Sequence, residues 1–443
     1  MITYSIIQKS QLEGALRIDA EYYQQEYLEL IKNLNTLGAV SIREVAVNPK
    51  RKFQSQKSEI FQYIEISEVD LSTGEYNKLE ILGESAPDRA QWIVRRGDII
   101  ISTVRPIRNA VSLITEDSKN LVCSSGFAVL KAEKVEPEYL FIYLKSRPIV
   151  ELLDRKTTAT MYPAVTVDDI LNTKIYLGDE NFREEIKSKV IEAQNELEKS
   201  KSFYSQAESL LFRELGLKDF KVEDDLFYIV NLSEIKSVHR ADAEYFQPKY
   251  EKLKEKIKKY GAVLLLSVVQ NVPARFNPKS QPTKTFRYVE LSNITSSVGT
   301  IDDFSEAIGD DAPSRAKRVL KSGDIIISSV EGSLEKVALA NEEQEGYLAS
   351  NGFFQFRGKD ILPEVLLVLA KSFILQMQFG KETAGTILTA VPKEAVKNII
   401  IPTIEKQTQQ KIADLVQKSH EARLKAKKLL EEAKRKVEDL IEK

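Results

Sequence analysis

Cysteine occurs once in this 443-residue chain, at Cys123, and histidine twice, at His239 and His420. A single thiol excludes an intramolecular disulfide and a cysteine-built metal cage. Two histidines leave too few ligands for a histidine-rich metal site, and neither stands near a repeated acid as a catalytic triad would need. No apolar run approaches the roughly 20 residues of a membrane-spanning helix. The opening Met1-Ile2-Thr3-Tyr4-Ser5 has no basic stretch leading into an apolar one, so no secretory signal is expected and a cytoplasmic protein is. Positive charge is not in excess either, with 64 Lys+Arg against 66 Asp+Glu. Residues 1–216 hold 28 basic and 33 acidic side chains, and residues 217–443 hold 36 and 33. Neither half is a simple basic nucleic-acid binder, so DNA binding would have to rest on local loops or on partners.

Catalytic motifs are missing as well. Gly380-Lys381-Glu382 lacks the upstream glycine and the hydroxyl residue of a phosphate-binding loop, and no GxGxxG follows a strand. Asn48-Pro49 continues as Lys50-Arg51, not as the Asn-Pro-Pro-Tyr type of amino-methyltransferases. Asp98 and Asp324 are the carboxylates to weigh for a nuclease. Each follows a glycine at the start of a strand, where a turn explains it without chemistry. No catalytic residue and no metal ligand is expected in this chain.

What the chain has is itself, twice. Arg17-Ile18-Asp19-Ala20-Glu21-Tyr22-Tyr23-Gln24 returns as Arg240-Ala241-Asp242-Ala243-Glu244-Tyr245-Phe246-Gln247, 223 positions later. Gly97-Asp98-Ile99-Ile100-Ile101-Ser102 returns unchanged from Gly323 to Ser328 at an offset of 226. The added residues fall between positions 53 and 86, where loops tolerate them. A repeat of this length is a domain with its own core, not a solenoid unit. Each copy reads as a helix near Asp19 or Asp242 capped by that carboxylate, then short strands such as 61–66 and 98–102. A helix from Pro137 or Pro363 follows, then a strand at 174–177 or 398–401, then a long polar helix.

The long helices carry a 4-3-4-3 spacing. It runs through Ile186, Val190, Ala193, Leu197, Ser200, Tyr204, Ala207 and Leu211. In the second copy it runs through Ile412, Val416, Ser419, Arg423, Ala426, Leu430, Ala433 and Val437. Spacing of 3.5 residues marks a coiled-coil seam; the plainer reading is an amphipathic helix lying on its own domain. The fold expected is therefore α+β. Two tandem, pseudo-symmetric α/β domains (1–178 and 217–403) would be separated by two long antiparallel coiled-coil helices (179–216 and 404–443).

Two acid-free segments at equivalent places are basic. Residues 45–58 carry Lys50, Arg51, Lys52 and Lys57; residues 270–287 carry Arg275, Lys279, Lys284 and Arg287. Clusters of this kind neutralise phosphates, and guanidinium groups also read guanine edges; ordinary solvated loops are the alternative. Where the copies disagree is more telling. After the shared strand the first runs Thr103-Val104-Arg105-Pro106-Ile107-Arg108-Asn109. The second runs Ser329-Val330-Glu331-Gly332-Ser333-Leu334-Glu335-Lys336. A second divergent pair sets Thr160-Met161-Tyr162-Pro163 against Thr386-Ile387-Leu388-Thr389. Retained scaffold with inverted loop chemistry suits two readers of different base sequences, unless the loops have merely drifted. Arg105, Arg108, Tyr162, Ser333 and Lys336 join the DNA-contact candidates.

The doubled Arg-x-Asp-Ala-Glu-Tyr segments, the doubled Gly-Asp-Ile-Ile-Ile-Ser strands and the two closing helices resemble the specificity subunits of Type I restriction-modification systems. The resemblance covers nearly all of the chain. It implies a non-catalytic subunit whose two target recognition domains each read half of a split, asymmetric DNA target. The paired helices would fix the gap and dock two methylation subunits, with Ile186, Val190, Leu197, Tyr204, Leu211, Ile412, Val416, Leu430 and Val437 at the seam. It implies no cofactor in this chain; S-adenosylmethionine, ATP and Mg belong to the methylation and restriction partners. The competing readings are a coiled-coil scaffold without DNA specificity and an atypical DNA-modifying enzyme.

Overall fold

A computed structural model describes residues 4–12, 17–157, 161–220, 225–384 and 389–442. The chain divides into two compact units, residues 1–196 with 424–443 and residues 197–423. The division runs through both long helices, Glu180–Glu214 and Lys406–Glu442, so each unit holds a segment of each.

In the first unit one four-stranded sheet is ordered Leu79–Leu82, Ile60–Ile64, Leu121–Ser124, Ala90–Ile93, with only the two middle strands parallel. The other is wholly antiparallel, ordered Ala46–Val47, Phe127–Ala132, Asp98–Ser102, Val111–Leu113. The second unit repeats both sheets strand for strand, down to one irregularity: the register shift at Ala90/Trp92 returns at Ala316/Arg318. In each unit the strand before the long helix, Lys174–Ile175 or Ile400–Ile401, pairs with Val40–Ser41 or Val263–Leu264.

The shared isoleucine strand is buried along all its residues in both units. Alternate side chains of a strand face opposite sides. Ile326 joins a core with Val289, Ala349 and Phe353. Ile325 and Ile327 join another core with Val365, Leu366 and Leu369 of the helix Pro363–Lys371. Cover on both faces is why the strand reads as unbroken isoleucine and not as an alternating pattern.

A hairpin docks on the equivalent helix in each unit, and a glycine at positive φ makes room for it. A Cβ on Gly74 would lie 2.7 Å from Phe141 Cζ, and one on Gly299 would lie 2.7 Å from Leu367 Cδ1. A lysine at the end of each helix, Lys145 buried and Lys371 half-buried, completes the contact. Lys145 Nζ donates to the carbonyl of Leu71 at 2.9 Å, and Lys371 Nζ donates to the carbonyl of Ser296.

Every seam position of both long helices is buried. Within the first unit Lys189 pairs with Glu432 and Lys436 with Glu185, so the segments run antiparallel. Within the second unit Ser419 Oγ donates to the Ser200 carbonyl at 2.7 Å, where two small side chains let the backbones approach. The seam and the domain-packing readings coexist, because Tyr204, Ala207, Leu211, Ile412 and Val416 also belong to the second unit's main core. Arg423 fills its seam position with a buried ion pair to Asp302, 2.7 Å away.

The expected helix start at Asp19 is corrected. Residues Ala20–Tyr23 form one 3-10 turn, the helix spans Gln25–Thr36, and the Asp19 carboxylate makes no cap. Arg17 takes both its oxygens, at 2.9 and 2.8 Å, and stacks 4.2 Å from the Tyr22 ring. The second copy repeats this with Arg240, Asp242 and Tyr245. There Asp242 also accepts from the Tyr245 N–H, and the helix spans Pro248–Lys258. The repeated motif is thus an arginine-clamped turn, held to its unit by Arg155 on the Tyr22 ring in the first copy and by Lys381 on the Tyr245 ring in the second.

Candidate nucleic-acid interface

The two divergent loops meet. Arg105 N–H donates to the Pro163 carbonyl at 2.7 Å, Val165 N–H donates to the Thr103 carbonyl at 2.9 Å, and Val104 bridges Ala164. The second unit forms the same junction: Glu331 N–H donates to Thr389 at 3.0 Å, Val391 N–H to Ser329 at 2.8 Å, and Val330 bridges Ala390. Two segments picked out separately by their divergence are one surface in each unit. Thr160, Thr386, Ile387 and Leu388 lie outside the described residues.

On the first unit this surface carries Tyr162 at 67% exposure, Met161 at 77% and Ile107 at 55%. Arg108 is exposed and Arg105 half-buried, its guanidinium carbon 5.8 Å from the centre of the Tyr162 ring. Arg105 and Asn109 sit in the left-handed region, at φ 49° and 59°, on either side of a single turn Pro106–Arg108. Asparagine tolerates that region readily, whereas arginine is held there at some cost. Asn109 is fastened by its side chain, whose Nδ2 donates to the Lys145 carbonyl at 2.9 Å. On the second unit Ser333 and Lys336 turn inward: Ser333 Oγ donates to Val330, and Lys336 Nζ donates to the Ile294 carbonyl at 3.2 Å.

The basic segments lie along the edge strand of the first sheet. Phe53 N–H donates to Gln91 at 2.8 Å and Phe276 N–H to Lys317 at 3.0 Å. The two phenylalanines anchor the segments, packing on Phe61 and on Phe286. Covering an edge strand in this way hides its unpaired backbone groups. Lys50, Lys52, Lys57, Arg275, Lys279 and Lys284 are exposed. Arg287 is tied to Glu306 and donates to Tyr347 Oη at 2.8 Å.

Arg51 is engaged otherwise. It pairs with Asp98, which is 2% exposed and also accepts from the Arg95 N–H at 2.7 Å. Burial pushes this carboxyl above the usual carboxylate range. In the second unit Asp324 accepts the Lys321 N–H in the same turn, but its guanidinium comes from Arg357 on the neighbouring strand, at 2.8 and 2.9 Å. Gly97 and Gly323 hold φ of 84° and 83° ahead of these aspartates. The turn reading of Asp98 and Asp324 accounts for both. Among the described residues no group of three His, Cys, Asp or Glu side chains could hold a metal ion.

One pair of residues escaped the sequence reading. Arg89 and Arg315 occupy the same position in Ala86-Pro87-Asp88-Arg89 and Ala312-Pro313-Ser314-Arg315, and both are exposed. Arg89 O accepts from Ser125 N–H at 2.7 Å, and Gly126 O accepts from Thr103 N–H at 2.8 Å. Arg315, Asn351, Gly352 and Ser329 repeat the chain of contacts. The arginines thus stand beside the divergent loops in both units. An in-register comparison of the copies was the signal that would have found them.

No family model matches the chain. A curated relative, the specificity subunit of the Type I restriction enzyme HindI of Haemophilus influenzae, is 27% identical over 104 residues. That match covers 23% of this chain and 23% of the relative, so it spans about a quarter of the relative's length. Solved structures found similar to this chain include the HsdS subunit of Thermoanaerobacter tengcongensis, 22% identical, covering 91% of this chain and 95% of that one, TM-score 0.34. The S subunit of a Type I restriction-modification system from M. genitalium is 12% identical, covering 91% and 94%, TM-score 0.38. This chain resembles the specificity subunits of Type I restriction-modification systems.

Proposed function

We propose that this chain is the non-catalytic DNA-specificity subunit of a Type I restriction-modification complex acting in the cytoplasm. Each unit reads one half of a split, asymmetric target. The paired helices set the gap and dock two methylation subunits, which bind S-adenosylmethionine and methylate adenine. Restriction subunits with ATP and Mg complete the assembly. One observation carries the reading: a scaffold kept strand for strand in two copies, with opposite charge on the loops that meet in each. Partners that enclose DNA can supply the sequence-independent attraction, which fits a chain of nearly balanced charge. Two half-sites add their binding energy only when both can be engaged together, so the spacing between readers has to be fixed.

Single-molecule methylome sequencing of cells carrying this chain and its methylation partner, against a deletion of the chain, tests the proposal. A split adenine-methylated motif that vanishes on deletion is expected. With the partner present and active, no difference between the strains would favour the scaffold reading. Exchanging residues 1–175 for another such domain is expected to rewrite one half of the motif only. Lengthening both long helices equally is expected to widen the gap and keep the letters; an unchanged gap with intact binding would remove the ruler.

A further inference from the structure

The two loop junctions offer opposite chemistry on one frame. In the first unit Arg105 and Arg108 form no ion pair among the described residues, and the apolar and aromatic side chains around them are exposed. In the second unit Glu331 and Glu335 are exposed and form no ion pair among the described residues, though Glu335 lies within the field of Lys371. The nearby Lys336 is spent on a backbone carbonyl. A carboxylate at a surface that meets phosphates is repelled, unless it accepts hydrogen bonds there. An ionised carboxylate only accepts, and a guanidinium only donates. On base edges in the major groove, the paired acceptors belong to guanine and the donors are the amino groups of cytosine and adenine.

Resting on the specificity-subunit reading, we infer that the two half-sites differ in chemical class. Arg105 and Arg108 read guanine in the half bound by the first unit. Glu331, with Glu335 beside it, reads an exocyclic amine, cytosine N4 or adenine N6, in the half bound by the second. Arg89 and Arg315, identical in type and place, hold phosphate in both units and carry no sequence information. The left-handed backbone at Arg105 and Asn109 aims the first reader; the second loop places Gly332 at φ 75° instead.

The test uses the complex assembled with its methylation partner, comparing wild type with R105Q, R108Q, R105K, E331Q and a variant carrying R89Q and R315Q. Binding is measured to duplexes bearing the wild-type motif and each single-base change, with melting curves confirming that every variant folds. The half changed by exchanging residues 1–175 identifies the first unit's letters. R105Q or R108Q is expected to lose roughly 10- to 100-fold of discrimination at a guanine in that half. R105K keeps the charge without the paired donors, so it should retain affinity and lose discrimination. E331Q should relax a cytosine or an adenine in the other half, and which one relaxes names the base. The R89Q/R315Q variant should weaken binding to all duplexes alike and lower the salt dependence. Unaltered preferences in both R105Q and R108Q, or a first half without guanine, overturn the inference while the specificity reading stands. A wild-type complex with no split motif overturns that reading, and this inference with it.

Discussion

Replacing Arg51 with methionine is expected to destabilise the first unit by about 3–5 kcal/mol, the cost of leaving one partner of a buried ion pair behind. Asp98 would keep the Arg95 amide as its hydrogen-bond donor, in a setting where burial already disfavours its charge. The second unit supplies the remedy. Its residue aligned with Arg51 is Ala274, and Asp324 is neutralised instead by Arg357 directly across the sheet. The residue across from Asp98 is Lys131, which reaches Glu133 at 3.7 Å. R51M combined with K131R should therefore recover most of the loss, transplanting one copy's solution into the other. Urea denaturation of wild type, R51M and the double variant decides this. A double variant no more stable than R51M would show that the two aspartates are not served interchangeably.

The second large effect is a pH dependence. Lys145 is buried and pushed down to about 8, chiefly because burial disfavours its charge. Its copy Lys371 is also pushed down to about 8 for the same leading reason. Below pH 8 both folded and unfolded chains carry the proton, and the cost of burying the charge is fully present. Between pH 8 and the ordinary lysine value near 10.4, the folded state releases the proton while the unfolded chain keeps it. The unfolded state then binds more protons, so stability from this group rises with pH. The full gain is about 3 kcal/mol per lysine, taking 1.36 kcal/mol per pKa unit. K145M removes both the titration and the bond to the Leu71 carbonyl. Its stability relative to wild type should fall progressively as pH climbs from 7 to 10, read from paired denaturation curves. A constant difference across that range would mean that Lys145 stays charged in the folded protein.

Much of the fold was legible because its signals are local or periodic. The offsets of 223 and 226 announced two copies, and a spacing of 3.5 residues marked seam positions that are all buried. Proline at the first turn placed the helices Pro137–Lys145 and Pro363–Lys371. The helix start at Asp19 was misread by one turn, since Ala20–Tyr23 forms a 3-10 turn ahead of the helix Gln25–Thr36. Arg17, two residues earlier, already held the carboxylate.

The site was less legible because charge on a line of sequence does not say what the charge is facing. Arg51 stood among four basic residues of one loop, yet it is the one turned onto a buried aspartate. Sequence by itself determined the duplication, the helix seam and the positions where the copies part, since each is a pattern readable along the chain. Tertiary structure alone decided that residues 103–109 and 161–165 form one surface flanked by Arg89, that the equivalent loops of the second unit form another flanked by Arg315, and which basic side chains stay exposed. Those outcomes depend on hydrogen bonds and ion pairs between residues far apart in sequence, and only the folded backbone brings such residues together.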